Sequence, residues 1–170
     1  MKRIILMVLL VAAAVVGASA GEKRNLSTDA VLQLVMDHRY KQGFETIYVG
    51  KMGLGLVRMV LSAEADDPEE KAVLDMIKGL NKFVVVNYED ASQTARAAFA
   101  AKLNGLFGNM EKIIEVKDGE DGVNIYGTSV NGGESIDDIM IYIPSDCTLI
   151  CVLGSISADR IADIIEMSNE

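Results

Sequence analysis

Apolar residues that recur every three or four positions predict five helices along the chain. The first lies between Ser27 and Gly43, where the apolar residues from 31 to 36 share one face, with Ser27 or Thr28 as its N-terminal cap. The other four are expected over residues 54–65 and 68–80, from Asp90 or Ser92 to about Gly108, and from Ser157 onward. The buried stripe expected for the fourth helix is Ala95, Phe99, Leu103 and Leu106.

Runs in which apolar and polar residues alternate predict six strands. Two of them, "FETIYVG" (44–50) and "KFVVVNYE" (82–89), lie between helices, and the second is apolar on both faces, as in a strand covered on both sides. Four more follow at residues 110–118, 122–130, 135–143 and 147–156. The pattern therefore predicts an α+β fold with a mostly antiparallel sheet, a C-terminal four-strand meander and helices packed against the sheet.

The first twenty residues have the layout of a secretory signal peptide. A basic start at Lys2 and Arg3 precedes an apolar run of about 13 residues, and Ala18 and Ala20 occupy the small-residue positions of a cleavage site. The run is shorter than the ~20 apolar residues that a membrane-spanning helix needs. We therefore expect cleavage after Ala20, a soluble periplasmic or secreted protein without a transmembrane helix, and one α+β domain over residues 21–170.

The charge balance bears on the partners of such a domain. The chain has 16 basic and 25 acidic residues, a net charge of −9. Removal of Lys2 and Arg3 with the leader leaves 14 basic and 25 acidic residues, or −11. This excess repels phosphate backbones and anionic lipid surfaces, and no basic stripe with interleaved aromatic residues reverses it. Nucleic acid is not expected as a partner, and anionic membranes are disfavoured.

The acidic stretch "KDGEDG" at residues 117–122 is either a site or a turn. It joins two alternating apolar runs, and Gly119 and Gly122 can supply the positive φ angles that tight hairpin loops require. A calcium loop counted from Asp118 would need Asp or Asn in place of Gly122 and glycine in place of Val123. Both positions fail. The prediction is a hairpin turn with structural glycines and dispensable acids.

Two cysteines, Cys147 and Cys151, are predicted on one face of the last strand. Their i, i+4 spacing places them ~13 Å apart on a strand, too far for a disulfide with each other. They are expected to be buried free thiols beside an isoleucine face of the preceding strand, formed by Ile139, Ile141 and Ile143. A metal or redox pair is disfavoured because the C-x-x-C spacing and a nearby histidine are missing.

The stretch "GKMGLGLVR" at residues 50–58 resembles a phosphate-binding loop in part. Its glycines are expected between a strand and a helix, where phosphate groups bind to backbone N–H groups. Arg58 occupies the third glycine position of a G-x-G-x-x-G motif counted from Gly53 and Gly55. A flexible connection or close helix packing is therefore the expected role of these glycines.

The single histidine, His38, is the other candidate for chemistry. It is flanked by Asp37 and Arg39 and is expected on a solvated helix surface. No nucleophile motif such as G-x-S-x-G accompanies it, and one histidine cannot build a histidine metal cluster. No catalytic, cofactor-binding or metal-binding residue is assigned to the chain, and it is expected not to be an enzyme.

The segment "EKIIEVKDGEDGVNIYG" and the later "SIDDIMIYIPSDCTLICVLGSISADRIADI" resemble a bacterial envelope family, domain-of-unknown-function family 4252. The likeness extends to the early segment ending in Lys51-Met52, the hairpin around "KDG", and the acidic, isoleucine-rich stretch from Gly154 to Ile165. It covers roughly residues 27 to 167. The resemblance implies an exported protein of Gram-negative bacteria with genes near sigma-factor systems, and it supplies no activity and no catalytic residues.

Two functions follow from these observations. The first is a non-enzymatic envelope domain that binds a protein partner in signalling or envelope maintenance. The alternative is a periplasmic protein that binds a small molecule or lipid in a pocket between sheet and helices, lined by Met52, Met59, Met76 and Met110. An exposed apolar patch would favour the partner, whereas a closed, deep apolar cavity would favour the ligand.

Overall fold

The computed structural model describes residues 26–64, 79–118 and 121–157. Its helices are α1 (Leu26–His38), α2 (Lys51–Glu64) and α3 (Gln93–Phe107). Its strands are β1 (Glu45–Val49), β2 (Leu80–Asn87), β3 (Glu111–Asp118), β4 (Asp121–Val130), β5 (Ser135–Ile143) and β6 (Thr148–Ser157). The predicted signal peptide, most of the predicted third helix and the predicted C-terminal helix after Ser157 lie outside the described residues, and Ser157, its expected start, ends β6 instead. Leu80, expected at the end of that third helix, begins β2 instead.

The six strands form one sheet in the order β1-β2-β6-β5-β4-β3, and all neighbouring strands are antiparallel. Strands β3 to β6 form the predicted meander. Strand β2 lies between β1 and β6, so the predicted two-sided burial of its valines agrees with its place inside the sheet. The predicted α+β class, with helices packed on a mostly antiparallel sheet, is confirmed.

Helices α1 and α3 cover one face of the sheet. Ser92 caps α3 as predicted, its hydroxyl accepting a 3.3 Å hydrogen bond from the Ala95 N–H. The side chains of α3 that are fully enclosed are Phe99, Leu103 and Phe107. They pack with Val31 and Val35 of α1 and with the side chains that β2, β5 and β6 direct to this face. We call this assembly the α1–α3 core.

Helix α2 lies over the opposite face. Its Leu54 is buried with an aliphatic layer from the sheet, which comprises Leu80, Ile136, Ile139, Ile141, Ile143, Ile150 and Val152. We call this layer the α2 core. Burial of a Leu or Ile side chain contributes about 1.5–3 kcal/mol, so both faces of the sheet stabilise the fold.

The predicted N-terminal cap of α1 is wrong. The helix already includes Leu26, so Ser27 and Thr28 lie inside it rather than at its cap, and Thr28 is fully buried. Gly43, by contrast, serves in the connection as predicted. Its φ is +78°, and a Cβ atom there would lie 2.4 Å from backbone atoms of Asp90 and Ala91. Close backbone approach and a left-handed φ both require glycine at this position.

The acidic stretch is a hairpin connection, but its glycine roles differ from the prediction. Asp118 pairs with Asp121 and Lys117 pairs with Gly122 across β3 and β4, while Gly119 and Glu120 lie outside the described residues. Gly122 is a strand residue without a left-handed φ. Its predicted turn role is therefore wrong, because it pairs with Lys117 within the ladder.

Candidate functional site

Strand β1 is an edge strand that exposes apolar side chains. Among the described residues it pairs with β2 alone. Ile47 is 60% exposed and Tyr48 is 52% exposed, and they point to opposite faces of the sheet. Glu45 is the one charged residue in the strand. A short β-branched and aromatic strand with so little charge leaves its outer backbone groups open to pairing.

Helix α2 continues directly from this strand and is apolar on two sides. Leu54 faces the sheet, whereas Met52, Leu56 and Met59 lie at i, i+4 and i+7 on the solvent side. These three side chains are 88%, 63% and 68% exposed. A helix with apolar side chains on opposite sides is normally covered on both, so the outer stripe is unusual for a surface helix.

The strand and the helix lie close together at this edge of the sheet. A Cβ atom on Gly53 would lie 2.9 Å from Cγ1 of Val49, which is too close for an unperturbed contact. The Leu54 N–H also donates a 2.9 Å hydrogen bond to the Gly50 carbonyl. We call the exposed residues Ile47, Tyr48, Met52, Leu56 and Met59 the β1–α2 surface.

Basic residues outnumber acidic residues in the sequence around this surface, although the chain as a whole is acidic. Residues 39–58 contain four basic residues and one acidic residue, Glu45, against a net charge of −9 for the whole chain. The four are Arg39, Lys41, Lys51 and Arg58. Lys82 on β2 adds a fifth positive charge, with its Nζ 5.7 Å from the centre of the Tyr48 ring. We call Lys51, at the start of α2, and Lys82, beside Tyr48, the basic pole.

His38 lies in an aromatic cluster, so its predicted solvated position is wrong. It is 8% exposed, and its ring lies 5.3 Å from the Phe44 ring and 5.1 Å from the Phe99 ring. Its Nδ1–H donates a 2.8 Å hydrogen bond to the Leu34 carbonyl, because a carbonyl oxygen can only accept. The signal was present in the sequence, since His38 continues the buried stripe of α1 seven residues after Val31.

The two cysteines are free, as predicted, but they occupy different environments. Cys151 is fully buried on β6, where burial and then the nearby Asp138 raise the pKa of its thiol to about 12. Cys147 is partly exposed and lies in the turn before β6 with a φ of +48°, so its predicted place on the strand is wrong. Met140, not an isoleucine, lies opposite Cys151. Ile139, Ile141 and Ile143 belong to the α2 core on the other face.

Two buried tyrosines approach each other beside Cys147. The hydroxyl oxygens of Tyr88 and Tyr142 are 3.1 Å apart and share a hydrogen bond. Burial, with the hydrogen bond to Tyr142 as a smaller cause, raises the pKa of Tyr88 far above its ordinary value. Burial also raises the pKa of Tyr142. Both phenols therefore stay protonated at physiological pH, and the pair is a neutral part of the α1–α3 core.

The remaining sequence candidates do not assemble into a site. Gly53 and Gly55 lie inside α2, so the partial phosphate motif is helical, and Gly53 serves the close helix packing that was one of its two predicted roles. Met52 and Met59 are exposed on α2, whereas Met110 packs against the α1–α3 core on the opposite face. The predicted methionine-lined pocket is thus not formed by these three residues, and Met76 lies outside the described residues.

Two general findings concern metal ions and membranes. Across residues 26–64, 79–118 and 121–157, no group of three or more His, Cys, Asp or Glu side chains is arranged to hold a metal ion. Within the same part of the chain, no helix combines the length and the apolar character needed to cross a membrane.

Comparison with known proteins gives a family and no characterised relative. No curated protein and no solved structure matches the chain. A family model described as "Domain of unknown function (DUF4252)" matches residues 38–164, three quarters of the sequence, which includes β1, α2 and the whole meander. The matched range holds the β1–α2 surface together with the sheet that supports it, and the chain belongs to the DUF4252 family.

Proposed function

We propose that this chain is a non-enzymatic module of the bacterial cell envelope that binds a protein partner through the β1–α2 surface. The observation that carries the proposal is the exposure of five large apolar side chains on two consecutive elements at one edge of the sheet. Apolar surface gathered in one place on a soluble protein marks an interaction site. The export signal read from Lys2 to Ala20 supports the envelope as the place of binding.

The composition of the surface fits a protein partner better than a small molecule. Tyrosine and methionine are enriched at the centres of protein interfaces, where charged residues are depleted. Met52 and Met59 supply such residues on α2, and Tyr48 adds an aromatic ring on the opposite face of the sheet, beside Lys82. Small-molecule sites are instead concave and enclose most of the ligand. An open strand edge and an outward helix stripe offer a broad contact rather than an enclosure.

Native mass spectrometry of the protein purified from its own periplasm tests the proposal. We expect a complex with a second protein that survives gentle purification and is lost in the Leu56→Asp variant. Leu56 is 63% exposed, so this substitution should leave the fold intact. The matched control is Val116→Asp, which places the same charge on a residue that is 53% exposed at the other edge of the sheet. The same spectra should show a chain that starts at Gly21.

Equal retention of the partner by wild type, Leu56→Asp and Val116→Asp would place binding elsewhere and overturn the proposal. A bound small molecule or lipid in place of a protein would overturn it in favour of the ligand-binding alternative. Loss of the partner in Val116→Asp alone would assign binding to β3.

A further inference from the structure

We propose that the β1 edge binds an extended acidic segment of its partner as one further β-strand. This inference rests on the proposed function and specifies the chemistry of the partner. Addition of a strand to a sheet edge derives its affinity from main-chain hydrogen bonds and its specificity from alternate side chains. The β1 edge has the backbone, the side chains and the charge that this mode of binding requires.

The backbone of β1 is suited to pairing. In an antiparallel ladder every second residue directs its N–H and C=O groups to the neighbouring strand, and the others point away. Strand β1 uses one of these sets for β2, with Glu45 to Val49 in unbroken register with Asn87 to Phe83. The other set faces outward. Because the register has no bulge, this outward set is regularly spaced for a further strand.

The side chains of β1 give the incoming strand contacts on both faces. Ile47 lies on the face that α2 covers, because its partner Val85 packs against the α2 core. On the other face Tyr48 presents its ring with the Lys82 ammonium group over it. Alternate residues of an added strand point to these two faces in turn. Apolar residues are therefore suited to the Ile47 face and acidic residues to the Tyr48 and Lys82 face.

Charge at the Val49 end of β1 suits an acidic partner. Lys51 begins α2 two residues after the strand ends, and the Lys82 ammonium group lies 5.7 Å from the centre of the Tyr48 ring. An acidic strand meets both positive charges there. Opposite charge steers association and sets partner choice more than it adds raw affinity. The overall charge of −9 also disfavours an anionic membrane as the occupant.

Fluorescence anisotropy with a labelled synthetic peptide tests the inference. The probe is a peptide of about seven residues, the usual length of a strand, in which glutamate alternates with valine. We expect saturable binding that weakens as salt is added, because exposed charges are screened. A peptide with lysine in place of glutamate should bind at least about tenfold more weakly. Phosphatidylglycerol vesicles are tested in parallel by co-sedimentation.

Charge-reversal variants locate the peptide on the protein. The double variant Lys51→Glu and Lys82→Glu should bind the acidic peptide about fivefold more weakly, since each exposed ion pair contributes up to about 1 kcal/mol. The matched control is Lys102→Glu and Lys112→Glu, which changes the net charge equally but acts on α3 and β3. Equal weakening by both pairs would mean that overall charge, not the β1 edge, controls binding, and would overturn the inference.

Backbone pairing is tested by two prolines. Neighbouring N–H groups on a strand point in opposite directions, so one of Ile47→Pro and Tyr48→Pro removes a donor to β2 and the other removes a donor on the open side. The variant with the melting temperature nearer to wild type identifies the open side, and it should bind at least about tenfold more weakly. If both variants unfold, hydrogen exchange of the wild-type protein tests whether the peptide pairs with the β1 backbone. Saturating peptide should then slow the exchange of β1 amides and leave the exchange of β3 amides unchanged.

The outcomes separate this inference from the proposed function. Loss of the native partner in Leu56→Asp, together with unaltered partner binding by the stable proline variant, would keep the proposed function and overturn strand addition. Co-sedimentation with phosphatidylglycerol vesicles that the acidic peptide does not compete for would assign the basic pole to a lipid surface and overturn the inference. Sedimentation as a dimer that the peptide does not dissociate would identify a second copy as the occupant, with the same consequence.

Discussion

The two edges of the sheet are built in opposite ways. Strand β1 is five residues long and has one charged residue. Strand β3 is eight residues long, and five of them are charged. A bulge interrupts its register between Lys112 and Ile114, and the Lys112 Nζ forms a 3.0 Å ion pair with the Glu115 carboxylate. Dense charge and bulges are the devices by which natural sheets prevent their edges from pairing with other chains.

The difference shows where the protein prevents association and where it does not. Ile114 and Val116 on β3 are also exposed, but charged residues alternate with them along the strand. Ile47 on β1 has no such charged neighbours within the strand, and the helix that follows exposes Met52, Leu56 and Met59. An edge strand that lacks charged residues and bulges exposes a protein to aggregation. We call such an edge unguarded and the charged, bulged edge guarded. The presence of one unguarded edge in a sheet whose other edge is guarded is the physical reason for proposing binding at β1.

Substitution of one glycine near each edge should give the largest contrast. Gly43→Ala should destabilise the protein by about 3 kcal/mol or more, because φ is +78° and the new Cβ would lie 2.4 Å from the Ala91 backbone. Gly122→Ala, next to the β3–β4 connection, should change stability by less than about 1 kcal/mol, since its nearest neighbour would be the Val116 carbonyl at 3.5 Å. Urea denaturation measures both.

Similar costs for these two alanines would contradict the description of how β1 is anchored. Gly43 leads into Phe44, and Phe44 packs on His38 and Phe99 in the α1–α3 core. The unguarded edge is thus fixed at its start by close packing. The β3 hairpin has no such requirement at Gly122.

Strand β6 lies inside the sheet, between its two edges, and its buried Cys151 should make the stability of the protein depend on pH in the alkaline range. The pKa of the Cys151 thiol is about 12 in the folded protein against an ordinary value of 9.0. Its contribution to stability is complete below about pH 9, where the thiol is protonated in both states. Above that pH the unfolded thiol loses its proton first, so stability should fall by up to about 1.4 kcal/mol per pH unit until about pH 12.

The measurement compares urea unfolding of wild type and Cys151→Ala from pH 7 to pH 11. The contributions of Tyr88 and Tyr142 to the free energy of unfolding also fall at alkaline pH, because burial raises their pKa values. Both tyrosines are present in both proteins, so their contributions cancel in the difference. A difference between the two proteins that does not change with pH would show that the Cys151 thiol is not desolvated.

Removal of the charge from β3 should make the guarded edge resemble the unguarded one. The triple variant Lys112→Thr, Glu115→Thr and Lys117→Thr keeps β-sheet propensity while removing three charged residues of the strand. We expect concentration-dependent self-association in analytical ultracentrifugation, with little change in melting temperature. The converse variant Ile47→Lys on β1 should reduce binding of the partner. A charge-depleted β3 that sediments like wild type would show that the bulge alone protects this edge.

Much of the fold could be predicted from the sequence, because periodicity reports secondary structure and short connections make the strands of the meander neighbours. The place of β1 and β2 beside β6 was not predicted. The sheet face to which a side chain points also depends on β-bulges, which the alternation of apolar and polar residues does not show. The bulge between Asp137 and Ile139 shifts β5 against β6, and a one-residue shift moves a side chain to the other face. The predicted isoleucine neighbours of Cys151 are therefore on the opposite side of the sheet.

The β1–α2 surface leaves only a partial signal in the sequence. Met52, Leu56 and Met59 have helical spacing, yet the helix was expected to begin at residue 54, after the glycines. Helix propensity disfavours Gly53 and Gly55, and the tertiary contact of Gly53 with Val49 overrides that preference. Exposure of the stripe depends on how α2 lies on the sheet, which periodicity alone does not determine.

The smallest effect is expected from the acids of the β3–β4 connection, at the guarded edge itself. The triple variant Asp118→Asn, Glu120→Gln and Asp121→Asn should change the free energy of unfolding by less than about 0.5 kcal/mol. Asp118 and Asp121 are paired through their backbones, and amide side chains leave this register intact. Calcium should not raise the melting temperature of wild type. A calcium-dependent rise in melting temperature that the triple variant lacks would reveal a metal-binding loop at the end of β3. The acids of this edge would then bind a metal ion in addition to preventing association.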